Sequence, residues 1–324
     1  MFSRLKESRS FLMGLAILGV ILFHASFSIS SYKLRLIHDN LCCGVDLFLF
    51  FSGIGACHSI AAHGGRGYLK NRLRRILPGL MPVLILWSAW MVFTGVMNWK
   101  EFWGSVTLLG WWLGQYKQLN WYFSAVWAFF LLAVPLYGLF RRCRRPVWLW
   151  LGLCLGTLAI QIILPGYKAS MLSCRALIFL TGMLFGRLEQ LGCRHTSAIA
   201  WISGLFLILG LWWMVLEYPY DCWGYGYRLG LWWYPYALFT PGIAILISAL
   251  WPRLRRLPVI RACGAVVEQL GQSSSEILMI HMALFKAITN VTTLTNPQWF
   301  LVIALCLAAG VGYHRWIVPR LPFS

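Results

Sequence analysis

Four titratable side chains fall inside strongly apolar segments: His24 at the end of MGLAILGVILFHA (13–25), Asp46 in GVDLFLFFSGIGA (44–56), and Glu276 and His281 in GQSSSEILMIHMALF (271–285). An ionisable group near mid-bilayer costs at least ~2.5–3.5 kcal/mol on insertion scales, so each needs a partner or a task. At 1.5 Å per residue, His24 stands ~21 Å along its helix from Ser10 and Asp46 ~8 Å along the next from Leu41; in a ~30 Å hydrocarbon core the two share one depth. A carboxylate beside an imidazole fixes its tautomer and stabilises the imidazolium, which suits a base that takes a proton from a hydroxyl. The same two residues would serve equally as a buried structural pair that orients two helices. Glu276 and His281 are five residues apart and point to different helix faces. Ser273, Ser274 or Ser275 is expected to cap their helix, with Glu276 in its first turn where the macrodipole favours an acid.

A second chemistry is carried by HGGRGYLKNRLRRILPG (63–79), where Arg66, Lys70, Arg72, Arg74 and Arg75 precede Pro78, expected to open the next helix. Phosphate-bearing ligands or anionic lipid headgroups would bind such a run. The excess of Lys and Arg on cytoplasmic loops predicts it without any ligand, and by itself the run favours that plainer reading. On the opposite side, EYPYDCWGYGYRLGLWWYPY (217–236) gathers Tyr and Trp around Asp221. Such rings can stack on sugars, but Trp and Tyr collect at every membrane interface, and an aromatic belt is the reading adopted for them. The 10 Cys show no metal-ligand spacing, so no metal site is expected, and a pairing among Cys42, Cys43, Cys174 and Cys222 has little support from spacing.

Elements able to position these groups follow from composition. The 324 residues are 60% hydrophobic and 11% charged, with 19 Trp and a mean hydropathy of +0.69. A bilayer is the solvent that suits such a chain. Its formal charge of +19 would suggest nucleic acid in a soluble protein; here membrane topology accounts for it, and no nucleic-acid partner is expected. Apolar segments near 11–29, 42–62, 76–97, 121–140, 147–164, 174–190, 198–216, 230–250, 273–290 and 298–317 predict an all-α polytopic membrane protein of about ten spans. A shorter stretch, 102–114, is placed at the interface or as a re-entrant piece. With the N-terminus inside, cytoplasmic connections hold Arg4, Lys6 and Arg9, the run 66–75, Arg141, Arg142, Arg144 and Arg145, and later Arg187, Arg194, Arg253, Arg255, Arg256, Arg261, Arg315 and Arg320. Only Lys33, Arg35, Lys100, Lys117, Lys168, Arg175, Arg228 and Lys286 fall outside or near the outer face. Both termini are therefore expected in the cytoplasm, with residues 1–324 as one transmembrane domain. The first segment is too long for a signal sequence and reads as a retained helix.

Taken in order, GLAILGVILFHA, GVDLFLFFSGIGA, RLRRILPG, NWYFSAVWAFFLLAVPLY and LGQSSSEILMIHMALF resemble the acyltransferase-3 superfamily of integral membrane O-acyltransferases along nearly the whole chain. The resemblance implies His24 as the catalytic histidine with Asp46 as its acid, and donor contacts from Arg72 and Arg75 of the basic RxxR element, with Arg74 beside them. It implies pocket positions at Ser52, Gly53, Trp121, Glu276 and His281, the last at a recurrent histidine. The expected reaction moves an acyl group, acetyl foremost, from cytosolic acyl-CoA to a hydroxyl of a lipid-linked or envelope glycan, in a bacterial cell membrane and with no covalently bound cofactor. One departure stands out: the family commonly carries Arg eleven positions before the histidine, and this chain has Met13. Arg9, one turn earlier on roughly the same face, is the nearest substitute, ~6 Å farther from His24. Two other classes stay open: a glycan or lipid transporter, for which no clear repeat speaks, and an inactive scaffold or sensor, made credible by Met13.

Overall fold

The computed structural model describes residues 1–115, 117, 119, 121–164, 166–217 and 231–321. The Asp221 region of the aromatic stretch, with Cys222 and Arg228, lies outside the described residues. In chain order the helices are α1 (Phe2–Glu7), α2 (Arg9–His24), α3 (Tyr32–Asn40), α4 (Gly44–Phe93), α5 (Trp99–Val106), α6 (Trp121–Arg142), α7 (Pro146–Ile163), α8 (Tyr167–Gln190), α9 (Thr196–Glu217), α10 (Tyr234–Leu254), α11 (Pro258–Gln272), α12 (Ser274–Thr289) and α13 (Asn296–Gly312). A π-helical turn, Tyr313–Ile317, continues α13. The described residues contain no strand.

Seven helical stretches are long and apolar enough to cross a bilayer, against about ten expected. The difference has two causes. Segments 42–62 and 76–97 belong to one helical stretch broken only at Gly64, whose backbone (φ 71°, ψ 174°) lies in a region that favours glycine. The other cause is length: α2 and α12 have 16 residues each, which is ~24 Å of rise against a ~30 Å core. The break at Gly64 reverses the chain. Arg72 Nη2 comes within 3.1 Å of where a Cβ on Gly55 would stand, although the two residues are a full hairpin apart in sequence.

This geometry overturns one expectation directly. The basic run is not a loop and Pro78 does not open a helix; residues 65–93 form a continuous second limb with Pro78 and Pro82 inside it. Each proline removes one backbone donor and loosens the helix there. Helix α11, which hydropathy does not reveal, has its Arg261 and Cys263 exposed and its Gly264 and Leu270 buried. It lies against α2 so closely that a Cβ at Gly14 would stand 1.9 Å from the Val267 carbonyl oxygen, and one at Gly271 1.9 Å from that of Ser10. The 102–114 piece resolves into the end of the short helix α5 followed by turns, with Trp103 and Leu113 exposed. Asn98 and Glu101 form a capping box there; the Asn98 backbone amide, with Lys117, holds the Glu101 carboxyl below its ordinary pKa.

At the centre, the first limb of α4 crosses α8 glycine to glycine. A Cβ at Gly53 would meet the Phe179 carbonyl oxygen at 2.3 Å, and one at Gly182 the Phe50 carbonyl oxygen at 2.1 Å. Small residues at such crossings let backbones approach and gain dispersion contacts that lipid does not offer. Gly53, expected at the pocket, is thus a packing residue. Gly182→Ala should lower the thermal midpoint in detergent, an overpacking penalty of about 1–3 kcal/mol. Gly138→Ala, where nothing lies within 4 Å of the new methyl group, should leave it unchanged or raise it. Equal midpoints for the two variants would contradict the crossing.

Candidate active site

The reversal at Gly64 decides what the basic run can do. Arg72 and Arg75, three residues apart, share a face of the second α4 limb, and that face meets the start of α2. Together with Arg9, Met13 and Ser52 they line a cavity of about 360 Å³. An adjoining cavity of about 500 Å³ shares Arg9, Ser10, Arg72 and Arg75 and adds Lys6. The Arg72 guanidinium sits over the rings of Tyr68 and Phe130, 5.4 and 5.2 Å from their centroids. Arg74 and Arg75 are both exposed, but of the two only Arg75 lines the cavities. A charge bias set by topology alone asks only that cations lie on one side; it does not ask guanidinium groups from two helices to converge on a concavity. Arg9 and Met13 occupy the same wall, so a guanidinium is present one turn from where the sequence lacks it.

Glu276 lies at the edge of this region and is 3% exposed. The expected cap is only half realised. Ser273 holds the N-cap position, but its hydroxyl donates to the Gln269 carbonyl at 3.2 Å and makes no cap bond. The Glu276 carboxylate instead accepts from Ser275 Oγ at 2.8 Å and lies 3.3 Å from His314 Nδ1. His314 stands in the π-helical turn and lines the smaller cavity. Sequence reasoning missed it, because nothing in the pattern around YHRWI marks a π-turn, a feature frequent at functional sites.

His24 and Asp46, expected at one depth, are not in contact. Asp46, fully buried at the start of α4, lies 3.6 Å from Nε of Arg175 on α8, itself 2% exposed. Arg175 packs over the rings of Trp233 and Trp121, at 4.3 and 5.5 Å. Trp121 therefore lies against this ion pair and is not among the residues lining the cavity. The expected dyad is corrected: the acid's partner is a guanidinium. The signal was present, since Arg175 interrupts the apolar stretch SCRALIFLTGM and an intramembrane cation calls for an acid.

The partner of His24 is His281. Their rings stand 5.2 Å apart between centroids, with His281 Nε2 3.3 Å from His24 Nδ1. His24 Nδ1 is also 2.8 Å from the Val20 carbonyl oxygen, and His281 Nδ1 is 2.9 Å from that of Ile277. His281 is fully buried against Phe285. Neither histidine is among the residues lining the cationic cavity, whose wall includes Met13 and Leu278, the latter one turn before His281. The nine described cysteines are free.

Fold and site together define an integral membrane protein of packed helices, with a cavity rich in guanidinium groups toward one end and two histidines from different helices beyond it. Residues 11–313 match the acyltransferase domain family Acyl_transf_3, and the chain belongs to that family. No curated protein and no solved structure is significantly similar to the chain.

Removing one partner of a buried ion pair strands the other charge, at a cost of about 3–5 kcal/mol. Asp46→Leu should therefore unfold at a markedly lower temperature than the parent. Adding Arg175→Leu should recover most of that loss in thermal denaturation. A double variant no more stable than the single one would contradict the pairing.

Proposed function

We propose that this protein is a membrane O-acyltransferase that moves an acyl group, acetyl foremost, from cytosolic acyl-CoA to a hydroxyl of a lipid-linked or envelope glycan in a bacterial cell membrane. In this reading both termini and the basic end of the bundle face the cytoplasm. The observation that carries it is the convergence of Arg9, Arg72 and Arg75 on one cavity, in a chain of an acyltransferase family. Guanidinium groups bind phosphates through charge-assisted, often bidentate hydrogen bonds, so the donor's phosphates lie among the three arginines and its acyl arm runs toward the histidines.

The acceptor hydroxyl gives its proton to His24 as its oxygen attacks the thioester carbonyl. A tetrahedral oxyanion forms; the Ser52 hydroxyl or backbone amides are the candidate donors to it. Collapse breaks the C–S bond, and the proton held by His24 passes to the departing CoA sulfur, leaving an ester and a free thiol. Arg9 on the cavity wall supports retained donor binding over the inactive-scaffold reading that Met13 raised.

The test is steady-state kinetics with radiolabelled acetyl-CoA in membranes that hold the acceptor. Arg9→Ala, Arg72→Ala and Arg75→Ala should each raise the KM for acetyl-CoA by about tenfold, the ~1.4 kcal/mol of one charged hydrogen bond. Arg74→Ala should leave it unchanged, and His24→Ala should abolish transfer. Met13→Arg should restore donor binding in the Arg9→Ala background. Equal effects at Arg74 and Arg72 would reduce the basic run to topology, and full transfer by His24→Ala would remove the base.

A further inference from the structure

We infer that His281 is a positioning residue that holds the His24 ring so that Nε2 faces the reaction as the base nitrogen, an inference that rests on the reading of His24 as the base. Proton accounting leads to it. A nitrogen within hydrogen-bonding distance of a carbonyl oxygen must carry hydrogen, because two acceptors cannot bond each other. His281 Nδ1, 2.9 Å from the Ile277 oxygen, is therefore the protonated nitrogen of that ring, and its Nε2 in the neutral form offers a lone pair. His24 Nδ1, 2.8 Å from the Val20 oxygen, is likewise the protonated one. Its hydrogen is shared between that oxygen and the His281 Nε2 lone pair at 3.3 Å.

One nitrogen is left over. Among the described residues no hydrogen bond engages His24 Nε2, so its lone pair is free to take a proton. The Val20 carbonyl belongs to the same helix, one turn back, and holds the ring by a single bond from one side. His281 comes from α12 and pins the ring from a second direction. When Nε2 gains the proton, the positive charge is shared with Nδ1–H, which already has two acceptors waiting. No rearrangement is needed at that moment. This gives the histidine the orienting part expected of Asp46, which is committed to Arg175.

The test uses the full-length protein in native membranes with radiolabelled acetyl-CoA. His281→Phe keeps a ring but loses the acceptor; it should lower kcat about tenfold or more with the KM for acetyl-CoA within twofold. His281→Gln, whose carboxamide oxygen can accept a hydrogen bond, should recover a substantial part of kcat. Wild-type kcat in His281→Phe, or equal losses in the Phe and Gln variants, would overturn the inference. Nitrogen-15 solid-state NMR on the histidine-labelled wild-type protein reads the same point without relying on a variant's folding. Signals assigned through His24→Ala should show Nδ1 protonated and Nε2 bare; the reverse tautomer would overturn it. If His24→Ala is inactive while His281→Phe is unaffected, only this inference fails. If His24→Ala transfers at full rate, the reading beneath it fails.

Discussion

Like charges resist being gathered, and this protein gathers three. Arg9, Arg72 and Arg75 face one partly enclosed cavity, with Lys6 in the adjoining one. Solvent and salt screen that repulsion in part, since Arg75 and Lys6 are exposed. Of the nearby acids, Glu276 is occupied with His314 and Ser275, and Glu189 with His58 at 2.7 Å. Helix packing brings the three together, and in the proposed function the donor's phosphates relieve that repulsion.

The rest of the fold supplies the force that holds the arginines there. Gly64 turns α4 back on itself, so the basic run is carried on a helix whose register fixes which arginines face inward. Arg72 and Arg75 face the cavity and Arg74, on another face, does not. The crossing of Gly53 with Gly182 locks the first limb of α4 to α8, and the close approach of α11 to α2 fixes the helix that bears Arg9 and His24. Toward the other end of the bundle, the ion pair of Asp46 and Arg175 ties α4 to α8 among the rings of Trp121 and Trp233. In lipid, where water cannot take over a stranded charge, such a pair specifies register between helices.

The sequence made the helical class and the membrane setting legible, because hydropathy needs no tertiary knowledge. It also marked His24 and His281, each an ionisable group in an apolar stretch, while Arg72, Arg75 and Arg9 were marked through the family resemblance. What it did not reveal is partner choice. Depth along a helix is a one-dimensional coordinate, and His24 and Asp46 agree in it, yet facing is set by rotation and by which helices are neighbours. Both were decided by glycine contacts whose significance is three-dimensional. Gly53, between a serine and an apolar residue, reads as a pocket glycine until the opposing Gly182 is seen. His314 was hidden for a different reason, since a π-turn arises from one extra residue in a helical turn and leaves no period to detect.

If the cationic cavity and His24 serve acyl transfer as proposed, the reaction leaves a covalent mark. Mass spectrometry of envelope glycans from cells with and without the gene reads that mark directly. A glycan species heavier by one acyl group, labile to mild base as an ester should be, is expected only where the gene is present. Identical glycan masses in the two strains, under conditions where the protein is made, would contradict it.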